Sequence, residues 1–154
     1  MRVRLVSLLL CSILLFSVIT DNTAARTSAA PTATPAAVVL SYFTVFSHIL
    51  RGASTSQLAQ VYVPNATFLV STPSGKTAVY QNLPAIEGWY KVFAASHAGF
   101  QLKYVSERRP VPGMVVHYEI ALDTANVVKG RCVHIFAVAN GMIVSDDFIV
   151  YAGS

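Results

Sequence analysis

Polar positions at Ser41, Thr44 and His48 interrupt an otherwise apolar run from Ala36 to Leu50. That spacing predicts a helix with one narrow wet stripe and covered flanks. Gly52 ends it, and STSQLAQVY from Ser54 predicts a short second helix with a hydroxyl cap. VPNATFLVS, then Pro73-Ser74-Gly75, then KTAVYQ predicts a β-hairpin. Asn82 can cap a third helix with Pro84 in its first turn, and Gly99 stops it. Ile86, Trp89, Tyr90 and Phe93 fall at i, i+3, i+4 and i+7 of that helix, so one face is expected to be buried.

Four strands are expected to close the chain: Phe100–Arg109, Met114–Asp123, Val127–Val138 and Met142–Tyr151. A Pro-Val-Pro-Gly turn separates the first two, and Asp-Thr-Ala-Asn separates the second and third. Helix, helix, hairpin, helix and a four-strand meander define an α+β domain with helices segregated against one antiparallel sheet. Both alternating sets of the meander are apolar, so both sheet faces are expected to be covered. Helices would cover one face, and a second subunit could cover the other.

The N-terminus changes the picture of where such a domain works. Arg2 and Arg4 precede an apolar run from Leu5 to Ile19, followed by Thr23-Ala24-Ala25. This is the layout of a secretory signal peptide over residues 1–25, and the run is short of the roughly 20 residues a spanning helix needs. Residues 26–35, rich in Ala, Thr and Pro, read as a disordered leader, leaving 36–154 as the folded domain. No stable membrane span is expected once the signal is removed.

Removal of the signal takes Cys11 with it and leaves Cys132 alone, so a packed core rather than a disulfide must supply stability. The net charge of +4 is spread along the chain, with Arg108-Arg109 the only adjacent basic pair. Nucleic-acid binding, which needs a dense basic stripe, is excluded from the reading. No metal or other cofactor is expected. The histidines have no paired short spacing, Cys132 and His134 lack two further ligands, and no phosphate-cradling glycine loop is present.

The final hairpin, RCVHIFAVANGMIVSDDFIVY from Arg131 to Tyr151, carries a histidine in one strand and two aspartates in the other. Unpaired buried polar groups cost roughly 1–3 kcal/mol, so partners are expected. A two-residue Asn140-Gly141 turn pairs Ala139 with Met142, and therefore His134 with Asp147. A three-residue loop pairs Val138 with Met142, and therefore His134 with Asp146. Either register supplies a carboxylate on the face of the sheet that holds His134.

Such a pair could be an acid–base dyad or a hydrogen-bonded pair that fixes strand register. Cys132 lies about 7 Å from His134 along the strand, too far for direct activation as a nucleophile. His117 and Glu119 alternate on one strand and read as its wetter face. Trp89 reads as core or as a ligand platform, and Tyr104 as a pocket hydroxyl or a packing residue. Asn65-Ala66-Thr67 is a glycosylation sequon, meaningful only in a eukaryotic source.

AAVVLSYF on the first helix, VYVPNATF entering the first strand, NLPAIEGWY opening the third helix and ANGMI at the last turn carry a resemblance. In order and spacing, over about residues 36–152, they resemble the NTF2-like superfamily, and within it the SnoaL-like and ketosteroid-isomerase-like domains. The resemblance implies a cone: a curved antiparallel sheet wrapped by three N-terminal helices around an apolar pocket. It places Tyr42 at the position of a pocket tyrosine and His134 at that of an oxyanion-holding acid. It also favours the three-residue loop, hence Asp146 opposite His134, with Phe136 and Phe148 on the same face. Val70 stands where isomerases of this type carry their base, so that chemistry lacks its carboxylate here. Asn65 and Asn82 replace the family's usual Asp and Gly.

The resulting expectation is a secreted protein binding a small, mainly apolar molecule through Tyr42, Trp89, Tyr104, Phe136 and Phe148. One alternative is an acid–base enzyme of cyclase, isomerase or hydratase type, with His134, Asp146 and Tyr42 as catalytic groups. Another is an interaction module with a filled cone that forms a homodimer through the outer sheet face.

Overall fold

In the computed structural model, residues 33–97, 99–122 and 128–152 are described. The expected signal peptide, most of the expected leader and the link between the second and third meander strands lie outside these residues.

Helix α1, Pro35–Leu50, starts where its sequence dictates: the Thr34 hydroxyl accepts from Ala37 N, and Pro35 occupies the first turn. Its buried face, Val38, Val39, Tyr42, Val45, Phe46 and Ile49, repeats at helical spacing, while Ser41, Thr44 and His48 face out. The expected second helix is a 3-10 segment, Thr55–Gln60, capped by Ser54 and pinned by the buried Leu58. Strands β1 (Tyr62–Ser71) and β2 (Thr77–Gln81) form the expected hairpin.

Helix α2, Leu83–Ser96, follows, capped by the Asn82 side chain, which accepts from Ala85 N at 3.1 Å. It buries Ile86 and Tyr90 fully, with Trp89 and Phe93 packed half-buried beside them. The meander is β3 (Gln101–Arg108), β4 (Met114–Leu122), β5 (Val128–Ala139) and β6 (Met142–Ala152). Between β3 and β4, Gly113 has φ of +80° and its carbonyl accepts from Val138 N at 2.7 Å. An added Cβ there would lie 3.0 Å from the Val138 carbonyl, so only glycine fits the turn.

The six strands form one sheet in the order β2-β1-β6-β5-β4-β3. One junction departs from the antiparallel expectation: β6 returns beside β1 in parallel, making the sheet mixed. The cause is connectivity. After the first hairpin the chain passes through α2 and the meander, and its last strand arrives alongside β1 pointing the same way.

The inner face of the sheet packs on α1, α2 and the 3-10 segment. Tyr42, Tyr62, Tyr90, Phe68 and Phe136 are its largest fully buried side chains. Burying each is worth roughly 1.5–3 kcal/mol.

Candidate functional site

His134 on β5 and Asp146 on β6 meet inside the sheet's inner face. The Nδ1–H of His134 donates to Asp146 Oδ1 at 2.9 Å, and the Tyr62 hydroxyl donates to Asp146 Oδ2 at 2.7 Å. The strand register differs from both expected alternatives. Asn140 and Gly141, with φ of 52° and 77°, do form a two-residue turn pairing Ala139 with Met142.

A bulge at Val144 then shifts β6 by one residue, so His134 lies opposite Phe148, and Asp146 opposite Phe136. The shift puts Asp146 on the inner face and Asp147 on the outer one, where it opposes Ile135. The contact between His134 and Asp146 therefore runs diagonally. Burial favours a neutral imidazole, but Asp146 outweighs it and raises the His134 pKa above the usual histidine value.

This pair is enclosed. His134 is 2% exposed, its ring lies flat against Phe148 at 4.3 Å and Phe136 at 5.2 Å, and its Nε2 has no partner among the described residues. Tyr42 packs edge-on to Phe136, and its hydroxyl lies 2.7 Å from that of Tyr90. Burial raises the pKa of Tyr42, Tyr62 and Tyr90 well above the ordinary tyrosine value, so all three remain protonated donors. Trp89 is stacked on Phe93 and edge-on to Phe68 within the aromatic core. Val70 is a core residue, and Asn65 is exposed on β1.

The larger hollow lies elsewhere. A cavity of about 850 Å³ opens between α1 and strands β3 and β4, with Leu40, Phe43, Phe46, Phe100, Leu102 and Tyr104 among its walls. Glu107, His117 and Glu119 supply its acidic and imidazole groups. Of the five residues expected to line a ligand pocket, Tyr104 lines this cavity. Phe148 lines a second one of about 460 Å³, and Tyr42, Trp89 and Phe136 line neither. The physical reason is that α1 closes onto β5 and β6, where the aromatic side chains interlock, and reaches β4 through Phe43 on His117, leaving the hollow open towards β3.

The polar groups of the large cavity form a chain. Arg109 Nε donates to Glu107 Oε1 at 2.6 Å, and His117 Nε2–H donates to Glu107 Oε2 at 2.8 Å. Burial opposes the Glu107 charge, but Arg109 and His117 outweigh it and hold its pKa below the usual carboxylate range. Burial lowers the His117 pKa, only partly offset by Glu107, so the ring is neutral at pH 7 with a lone pair on Nδ1. That atom lies 3.6 Å from Glu119 Oε1, too far for a hydrogen bond. Glu119 is 3% exposed, neither of its oxygens has a partner among the described residues, and burial pushes its pKa up to about 7.

His117 and Glu119 thus sit on the buried face of β4, opposite to the wetter-face reading. The missed signal was pairwise: β4–β5 register puts His117 directly across from His134, so both must point inward together. Cys132 lines the second cavity, and burial pushes its thiol up to about 12, which removes the thiolate at neutral pH. Among the described residues, no three His, Cys, Asp or Glu side chains converge as a metal-holding group.

No family model matches the chain, and no curated protein matches it. Solved structures do. A Jannaschia protein assigned to the SnoaL-like polyketide cyclases superposes with a TM-score of 0.63 at 9% identity, over 79% of this chain and 89% of its own. An NTF2-like protein of unknown function from Mesorhizobium loti gives 0.62 at 13% identity, over 80% and 96%. A protein of Agrobacterium tumefaciens assigned as an isomerase of the SnoaL-like family gives 0.59 at 8% identity, over 73% and 93%. The chain has the NTF2-like fold in its SnoaL-like form.

Proposed function

We propose that this is a secreted pocket protein that binds a small, mainly apolar molecule in the cavity between α1 and strands β3 and β4. The observation that carries the reading is the cavity itself: about 850 Å³, walled by aromatic and aliphatic side chains, with a few converging polar groups. That volume and lining suit a ligand of drug-like size. Secretion is supported by the Arg-flanked apolar run Leu5–Ile19 and the small residues that follow it. A homodimer through the outer sheet face is supported by the half-buried Val116, Tyr118, Ile120, Ile135 and Ile149 of that face.

Native mass spectrometry of the secreted protein tests these points together. A co-purifying small molecule and a two-chain mass are expected. Leu102→Trp, which fills the cavity, should abolish retention of that molecule; retention unchanged by the substitution would refute the site.

A second reading, an acid–base enzyme of cyclase, isomerase or hydratase type, is supported by the 2.9 Å contact of His134 with Asp146 and the raised imidazole pKa. Polyketide cyclases are among the structural neighbours, including IdmH of Streptomyces antibioticus, assigned to that class. On this reading the substrate must reach the enclosed His134 rather than rest in the large cavity, and His134→Ala abolishes its turnover while leaving its affinity nearly unchanged. Equal loss of both would leave binding alone.

A further inference from the structure

We infer that the molecule held in the large cavity carries a basic amine on an apolar body, its ammonium seated between Glu119 and His117. The inference rests on the cavity being the ligand site and goes further by naming the ligand's charge.

Counting donors and acceptors leads to it. His117 spends its Nε2–H on Glu107, so its Nδ1 faces the cavity as an acceptor. Glu119 presents two oxygens, both buried and both without a partner among the described residues. Three acceptor positions thus share one corner of the cavity, and among the described residues no protein donor serves them. An ammonium brings up to three N–H donors and a positive charge, whereas a hydroxyl brings one donor and a carbonyl none.

The guanidinium that acts on His117 is already committed: Arg109 is bound to Glu107. Phe43 and Tyr104 lie 5.0 and 5.4 Å from the His117 ring, placing two aromatic rings beside the same corner. Phe46, Phe100 and Leu102 continue the wall where an apolar body would lie. Arg51, at the C-terminal end of α1, also borders the cavity and is the group an anionic ligand would seek instead.

The groups that interact with Glu119 are His117 on its own strand, Cys132 and His134 on β5, Asp146 on β6 and Tyr42 on α1. Glu107 on β3 lies beyond His117. With its pKa near 7, Glu119 is largely protonated at pH 6. Seating an ammonium ionises it, and one proton passes from the carboxyl to the buffer.

Three matched probes test this by isothermal titration of the purified protein: 4-phenylbutylamine, 4-phenylbutan-1-ol and 4-phenylbutyrate. The amine should bind at least tenfold more tightly than the alcohol. At pH 6, titration in two buffers of different ionisation enthalpy should report release of close to one proton, falling towards zero at pH 8.5. Glu119→Gln should erase both the preference and the proton release.

The proton count on the unaltered protein needs no variant, so a misfolded substitution would not rescue the inference. An alcohol that binds as tightly as the amine overturns it and leaves the pocket reading intact. Tightest binding by the butyrate also overturns it and points to Arg51. Failure of all three probes overturns the pocket reading together with it.

Discussion

Asp146 lies across the β5–β6 ladder from Phe136, yet its carboxylate binds His134 two residues away and Tyr62 on the neighbouring β1. One side chain thereby ties three strands together inside the apolar core. Asp146→Asn keeps the shape but turns an amide N–H₂ towards one of the two donors. Hydrogen bonds to charged groups are worth about 1.5–3 kcal/mol, so urea denaturation should show a loss of at least that size. A loss below about 0.5 kcal/mol would mean the pair contributes nothing to the fold.

Glu119 should make stability fall as the pH rises. Its carboxyl is raised from 4.5 to about 7 in the folded chain, so the folded state holds the proton more tightly than the unfolded one. The stabilising contribution is complete below about pH 4.5 and is lost as pH climbs through 7. That gap corresponds to roughly 3 kcal/mol. His134, also raised, acts in the same direction from about pH 6.5 upward, while the lowered pKa of His117 acts oppositely below that pH. Comparing Glu119→Gln with the unaltered chain isolates the first effect. The variant should gain relative stability between pH 4.5 and 7.5, read from urea midpoints, and parallel curves would refute the burial of an unpaired acid.

Glu107 partly offsets the burial of His117, so removing its charge should move that imidazole further down. In Glu107→Gln, NMR titration of the His117 ring should give a lower pKa than in the unaltered protein. Arg109→Ala should change stability by less than about 1 kcal/mol, because that guanidinium is 61% exposed and its ion pair is screened. A large loss from the arginine variant would show that the chain of contacts acts as one unit.

Asn82 caps α2 from a backbone conformation, φ 74° and ψ 155°, that only glycine adopts without strain. Replacing the cap by glycine costs a few tenths of a kcal/mol, while relief of the strain returns about 1–3 kcal/mol. Asn82→Gly should therefore stabilise the protein by about 1 kcal/mol or more in thermal or chemical unfolding. Destabilisation would mean that the side-chain bond to Ala85 N outweighs the backbone term.

Most element boundaries could be read from hydrophobic spacing, because Tyr42, Val45, Phe46 and Ile49 or Ile86 and Tyr90 obey the helical period closely. Register was harder. The Asn140-Gly141 turn was legible, but the bulge at Val144 leaves no signature in an alternating apolar strand, and one extra residue exchanges Phe148 for either aspartate opposite His134. The inward face of β4 was misread because its other set, Val116, Tyr118 and Ile120, is the more apolar. Composition alone therefore assigns the wrong side. Where α1 stands off the sheet, and hence where a cavity opens, depends on how Tyr42, Phe43 and Phe136 interlock, and pairwise spacing carries no trace of that.

Phe100 borders both hollows, with Glu119 on one side and Cys132 on the other. Its side chain is common to the walls of two chambers of the same domain. Shortening it to a methyl would thin a wall the two share, on whose far side lies a sequestered sulfur.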